Sequence, residues 1–401
     1  MKKIVSAVLV LTMILSMIGI FASCSSYVDD GVFRIGVICL HDENSTYDNN
    51  FIRAITNVKA KLNLSDDQVI IKTNIPESDE CYNTAKELVQ KGCDVIFADS
   101  FGHEEFMLQA AKEYPQVEFC HATGTLAHTE KLDNYHNAFA AIYEGRYLAG
   151  IAAGMKLNAM IADGTITADQ AVIGYVGAFT YAEVISGLTS FFLGARSVCE
   201  TATMKVRFTG SWYDQPAEQE AANSLISAGC KLISQHADSL GAPTACELAH
   251  IPNVSYNGST KDAGPSTYII SSAINWEPYF EYIIDCTQNG KAIDTDWTGT
   301  IATGSVVLAE LNTAVAAEGT QEAIDAAIAA FKAGTLHVFD TSKFTVDGNA
   351  LTSYMADVDT DAEFKGDTEV VSDGYFHESE KRSAPYFDLT IDGIEFLNTA
   401  F

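Results

Sequence analysis

The chain is 401 residues long and 47% hydrophobic, and its 53 Asp and Glu against 24 Lys and Arg give a formal charge of −29. So acidic a surface repels nucleic acid, phosphates and anionic lipid at long range, which leaves a neutral or cationic small molecule as the better-fitting partner. The length corresponds to two or three domain-sized units of about 100–200 residues each.

Met1-Lys2-Lys3 is followed by an apolar run from Ile4 to Ala22 that ends at Ser23-Cys24. A short basic start, an apolar stretch and small residues before a cleavage point describe an export signal over 1–23. The run is nearly long enough to span a bilayer, so an uncleaved anchor helix is the alternative. Ala22-Ser23-Cys24 resembles a bacterial lipobox, with Phe21 where Leu is usual, and 24–32 resembles the mobile tether behind one. The resemblance implies lipidation of Cys24 and a lipid anchor on the outer face of the cell membrane. Loss of Lys2 and Lys3 with the leader takes the charge from −29 to −31.

From Phe33 onward short apolar runs alternate with helical periods. Arg34–Leu40, Gln68–Thr73, Asp94–Ala98 and Val117–His121 read as strands. Asn50–Leu62, Cys81–Lys91 and Phe106–Tyr114 read as helices, the second stopped at Gly92 and the third at Pro115. Continuous apolar strands separated by helices predict a parallel sheet covered on both faces, a doubly wound α/β layout. The pattern then repeats: Leu88–Ile96 reads against Leu225–Ile233, and Ile35–Ile38 against Ile173–Val176, at offsets of 137 and 138. Two like lobes joined by a hinge follow, 33–138 plus 274–297 and 139–273 plus 298–339. Gly150 and Gly154 suit a helix packed closely on a neighbour, and the first crossing between lobes is expected near Asn137–Ala140. The last 62 residues, 340–401, carry turns and short alternating runs that predict a peripheral extension of hairpins.

Cys39, Cys93, Cys120 and Cys230 sit in or beside apolar runs and read as buried thiols. No pair has CxxC or zinc-type spacing, so neither a metal nor a cofactor is expected. Open parallel sheets bind ligands beyond the carboxyl ends of their strands. Two facing lobes therefore place the loops 41–49, 99–103, 121–124, 179–183, 211–214, 235–239 and 257–261 around one cleft, with Asn275-Trp276 beside it. Candidate ligand-binding residues are Asn44, Tyr47, Asp48, Asp99, Ser100, Phe101, Phe179, Glu183, Trp212, Asp238, Asn257, Asn275 and Trp276. Flat rings supply area and stacking, and carboxylates accept hydrogen bonds from hydroxyls. Tyr47 is read as a mid-loop residue with no apolar partner close in sequence.

In order along 24–310, the lipobox, Phe97–Gly102, Phe119–Gly124, Tyr143–Gly150, Gly174–Phe179, Glu183-Val184, Gly210–Asp214, Gln235–Ser239 and Ile274–Trp276 resemble the basic-membrane-protein lipoproteins. These are substrate-binding proteins of nucleoside-type ABC importers. The resemblance implies a type I periplasmic-binding fold, a monomer, an ABC permease as membrane partner, and a purine nucleoside or nucleobase as ligand. It puts Tyr47 where an aromatic stacks on the base, Asp238 near an acid that holds ribose hydroxyls, and Asp99–Phe101 at the cleft floor. The first loop, Asp42–Tyr47, departs from the family's Gly/Asp-rich pattern, and the ribose-contacting Lys has no counterpart around Ile274–Trp276. A free base or another small polar compound therefore stays open.

No Gly-x-Ser-x-Gly elbow is present, and no catalytic residue is assigned. Glu43 and Asp238 as the acid–base pair of a nucleosidase or glycosidase form one rival reading. A surface sensor or adhesin using the same cleft without transport is the other.

Overall fold

The computed structural model describes residues 27, 30–358 and 365–400. The signal segment, Cys24 and most of the tether lie outside the described residues.

The first lobe is built on β1 (Ile35–Ile38), α1 (Thr46–Leu62), β2 (Val69–Lys72), α2 (Asp79–Gln90), β3 (Val95–Ala98), α3 (Glu104–Glu113), β4 (Glu118–Ala122), the single turn α4 (Ala127–Glu130) and β5 (Tyr135–Ala140). The second continues with α5 (Ile142–Ala162), β6 (Val172–Gly177), α6 (Ala182–Val198), β7 (Thr203–Phe208), α7 (Gln215–Ser227), β8 (Leu232–His236), α8 (Gly241–Ala249), β9 (Asn253–Tyr256) and β10 (Tyr268–Ile274). The chain then returns to the first lobe for α9 (Glu277–Asn289) and β11 (Asp296–Gly299), and crosses again to β12 (Val306–Leu308) and α10 (Thr320–Lys332). Gly290 ends α9 in the left-handed conformation at φ 61°, which a residue without Cβ adopts at little cost.

The strands form two sheets, ordered β11-β5-β4-β3-β1-β2 and β12-β10-β9-β8-β6-β7. Every pairing is parallel except that of β12 with β10. The two orders are one topology used twice, and the molecule is an α/β protein of two doubly wound lobes. The internal repeat in the sequence marks their equivalent strands: Ile35–Ile38 is β1, and Ile173–Val176 lies within β6, each in the same place in its sheet.

The central strands β1, β3 and β6 are buried on both faces and run apolar without alternation, whereas β7 alternates. In the first lobe Phe51 of α1 stacks on Trp276 at 4.5 Å, with Phe97 beneath at 5.4 Å from Phe51. Burying one such ring contributes about 1.5–3 kcal/mol. In the second, α5 and α6 approach until backbone meets backbone. A Cβ on Gly150 would stand 2.0 Å from the Phe191 carbonyl oxygen, and one on Gly194 2.0 Å from that of Tyr147.

The C-terminal segment carries the short antiparallel pairs expected of it, Met355–Ala356 with Thr368–Glu369 and Val371–Ser372 with Tyr375–Phe376, but it is not merely peripheral. β13 (Ile394–Phe396) pairs in parallel with β7 and becomes the seventh strand of the second sheet. Phe339 stacks on Phe387 at 4.4 Å, and both belong to the core built on α5 and α6. The sequence hides this because each apolar run is only three or four residues long, too short to show a period. All eight described cysteines are unpaired and buried. Among the described residues no helix is long and apolar enough to cross a membrane.

Candidate ligand-binding cleft

The loops that follow β1 and β3 in one lobe face those that follow β6, β7, β8 and β9 in the other. Ser45 starts α1: its hydroxyl accepts from the Asp48 amide at 3.3 Å and donates to the Asp48 carboxylate at 2.6 Å. The same carboxylate accepts the His41 amide at 2.7 Å. Burial opposes charge on Asp48, but the bonds from His41 and Ser45 outweigh it and hold its pKa below the usual carboxylate value. Tyr47 thus stands in the first helical turn rather than mid-loop, and its hydroxyl donates to the Asp99 carbonyl at 2.8 Å.

Asp99 is fully buried under this turn and accepts the Leu40 amide at 3.1 Å. Burial, and then the neighbouring Asp48, push its carboxyl well above the ordinary range. Cys39, Asp48 and Asp99 bring potential ligand atoms within 4.8 Å of one another. Both Asp48 oxygens are engaged and burial disfavours charge on Asp99, so the trio acts as a hydrogen-bonded support under the cleft. Glu77 fixes the adjoining loop by accepting Ser100 Oγ at 2.6 Å and the Gly102 amide at 2.8 Å. Phe101 is left projecting, 42% exposed.

From the second lobe, the Asp238 carboxylate accepts Asn257 Nδ2 at 2.9 Å. Burial pushes Asp238 well up the scale while the Asn257 bond pulls it down. His236 Nε2 lies 3.4 Å from Glu183 Oε1; burial lowers the imidazole's pKa while Glu183 pulls it back up. The lobes are in contact. The Thr46 amide and hydroxyl both donate to the Asp238 carbonyl at 3.1 Å, His41 lies 5.4 Å from Tyr213, and Phe101 lies 5.5 Å from Tyr181.

Between them, with the lobes shut, is a narrow pocket of about 20 Å³ of free volume. Leu40, His41, Tyr47, Asp48, Ser100, Phe101 and Thr123 line it from the first lobe, and Glu183, Trp212, His236, Asp238, Tyr256 and Asn257 from the second. Eight of the thirteen sequence candidates are therefore brought together. The other five are elsewhere. Asn44 is exposed and bonded to Asp42, and Asp99 lies one layer down. Phe179 stands behind the wall, stacked on Tyr181 at 5.0 Å and edge-on to Trp212 at 5.0 Å. Asn275 donates to the Gly304 carbonyl at 3.3 Å and receives the Glu277 amide at 3.2 Å, which caps α9. Trp276 is 1% exposed, within the first lobe's core. Leu40, His41, Thr123, His236 and Tyr256 were not selected from sequence, although the loop positions carried a signal for His41, Thr123 and His236. Tyr256 ends the fully buried strand Asn253–Tyr256 and carried none.

A family model described as ABC transporter substrate-binding protein PnrA-like, Bmp, matches residues 39–333. The chain belongs to the Bmp family. It is 35% identical over 226 residues to a protein of Haloferax volcanii named as an ABC transporter glucose-binding protein, covering 56% of this chain and 54% of that one. It is 31% identical over 233 residues to a purine-binding protein of Brucella abortus, covering 56% and 61%. The chain thus spans little more than half the length of these curated relatives. Among solved structures, an ABC transporter solute-binding protein of Aeropyrum pernix superposes with a TM-score of 0.64 at 14% identity, over 76% of this chain and 92% of that one. One from Conexibacter woesei gives 0.61 at 19% identity, over 76% and 98%. These two share the fold. The Bmp match covers both lobes and every residue that lines the cleft, and it ends before the C-terminal segment.

Proposed function

We propose that this Bmp-family chain is the ligand-capturing receptor of an ABC importer and is not an enzyme. Held by a lipid on Cys24 at the outer face of the membrane, it takes a small flat heterocycle, a purine nucleoside or nucleobase, into its interlobe cleft. It hands that ligand to a permease. The observation that carries the reading is the cleft itself: rings and hydrogen-bond acceptors from both lobes line one shared pocket, narrow in this shut form, and the lobes meet directly at Thr46 and Asp238. Apolar walls with a few fixed polar groups are typical of small-molecule sites, and parting of the lobes would widen this one to admit a ligand. The purine-binding relative supports the ligand class, and the glucose-binding name of the other relative puts sugars in the test panel.

The deciding experiment is mass spectrometry of whatever is released when freshly purified protein is denatured. A thermal-shift panel of bases, nucleosides and sugars follows it. Tyr47→Ala and Asp238→Ala are each expected to weaken binding by about 1–3 kcal/mol, from lost stacking or a lost charge-assisted bond. Unchanged affinity in both variants, or chemical conversion of the bound compound, would overturn the proposal.

A further inference from the structure

The cleft's polar groups are unbalanced in one direction. Among its lining residues three of the four hydroxyl donors are already engaged: Tyr47 with the Asp99 carbonyl, Ser100 with Glu77 and Thr123 with the Ala122 carbonyl. His41 turns Nδ1 to Asp48 at 3.4 Å. The other side of His41, the Trp212 indole and the Tyr256 hydroxyl are the donors left. The acceptors, by contrast, are open. Glu183 has one long contact, to His236, and Asp238 has Asn257. Because Asn257 commits its Nδ2 to Asp238, its buried Oδ1 is an acceptor with no partner. The Tyr256 hydroxyl is likewise buried and unpartnered.

Charge follows the same direction. The lining holds three carboxylates, Asp48, Glu183 and Asp238, and no Lys or Arg. The nearest guanidinium, Arg146, lies behind the wall, fully buried, 4.9 Å from the Tyr256 ring. Its bonds go to the Tyr175 and Ser234 hydroxyls and to the Ser255 and Gln235 carbonyls. One cation against Asp48, Glu183 and an Asp238 on which burial disfavours charge leaves the enclosed site short of positive charge. Four rings that line it, Tyr47, Phe101, Trp212 and Tyr256, offer faces that attract a cation.

From these donors, acceptors, charges and rings together we propose that the cleft selects a cationic heterocycle: a flat ring bearing a positive charge on the ring or on an attached amidine or amine. Its N–H groups face Glu183, Asp238 and Asn257. This deepens the receptor reading and rests on it. The charge also explains closure, since a cation drawn between carboxylates of the two lobes neutralises their mutual repulsion when water is excluded. Burial already favours a proton on Asp238, and Asp48, Glu218 and Glu183 push in the same direction. An entering cation would offset the same burial and like-charge repulsion.

The test is isothermal titration of the full soluble chain at pH 7.5 with pairs matched in shape and differing in charge. The pairs are benzamidine against benzamide, pyridoxamine against pyridoxine, and 1-methyladenosine, a cation at neutral pH, against adenosine. The cationic member is expected to bind at least about ten-fold tighter in a pair that binds, a preference of about 1.4 kcal/mol. Glu183→Gln, which keeps the shape, should narrow that ratio several-fold. Titration in buffers of different ionisation heat should register protons released with the cationic probe. If the neutral members bind as well or better, or the ratio survives Glu183→Gln, the cation inference is overturned and the receptor reading stands. If no pair binds and mass spectrometry finds nothing released, both are overturned.

Discussion

At the scale of single residues, burial sets the chemistry of this protein's acids. It pushes Glu144, on the helix that leaves the hinge, to about 7, against one bond from the Ile301 amide. It pushes Glu218, behind Asp238, to about 7, and Glu378, in the C-terminal segment, to about 8. A folded-state pKa above the unfolded value means that the stability these groups give is complete below about pH 4.5 and is lost as pH climbs through 7 and 8. His103 and His121, lowered by burial to about 4, act oppositely: they cost stability only as pH falls below about 6.5. The melting temperature is therefore expected to fall between about pH 6.5 and 8, where the histidines no longer titrate. Glu378→Gln should flatten part of that slope. Melting curves recorded across this interval check it, and a flat or rising profile would contradict it. The same burial limits what sequence can say about residues. Tyr47, Trp212 and Trp276 look alike in a row of letters, yet Trp276 faces Phe51 inside a lobe while the other two face the cleft. Read from its apolar period, this helix starts at Asn50 and leaves Tyr47 mid-loop; the Ser45-x-x-Asp48 spacing carries the signal for the earlier start that puts Tyr47 in the first turn.

At the scale of elements, the doubly wound lobes were legible because their strands are short, apolar and regularly spaced, and the repeat named the equivalent strands. Gly150 was legible as a close approach because few other reasons put glycines four apart in a helix. The C-terminal strand was not, because its partner β7 lies almost two hundred residues earlier and nothing local records the pairing. That strand leads to a contact beside the cleft. The Thr180 amide and hydroxyl donate to the Ala400 carbonyl at 2.7 and 2.6 Å, and the Ala400 amide donates to the Thr180 hydroxyl at 2.8 Å. Thr180 separates Phe179 from Tyr181, the stacked pair that backs Trp212 and meets Phe101 of the other lobe. One residue pair away, Asn398 exchanges two bonds of 2.8 Å with the backbone of Phe208. Removing residues 399–401 keeps β13 and Asn398 but frees the aromatic loop. It is expected to weaken binding of the co-purified ligand about three- to ten-fold, the cost of ordering that loop on binding. The melting temperature should change little. Unchanged affinity in titration calorimetry would show that the loop holds its place without the tail.

At the scale of the whole molecule, three chain crossings join the lobes, and few direct bonds hold them shut across the cleft. Two of these converge on one atom, the Asp238 carbonyl oxygen, from the amide and hydroxyl of Thr46. Each contributes about 0.5–1.5 kcal/mol net, so without ligand the shut and open forms lie close in free energy. A ligand that touches both lobes shifts that balance. Thr46 is the first helical residue of α1, the position where proline is tolerated because its missing N–H has no partner within the helix. Ser45, at φ −77° and ψ 128°, already has the extended backbone that a following proline requires. Thr46→Pro therefore deletes both bonds between the lobes while leaving the helix intact. The ligand-free melting temperature should be preserved and affinity should fall about ten-fold, the equivalent of about 1.4 kcal/mol. Small-angle scattering should show the wild-type envelope contracting when ligand is added and the variant needing more ligand to contract as far. Equal affinity for the two proteins, or a wild-type envelope indifferent to ligand, would mean that Asp238 and Thr46 do not act as a latch and that capture in this cleft does not depend on closure.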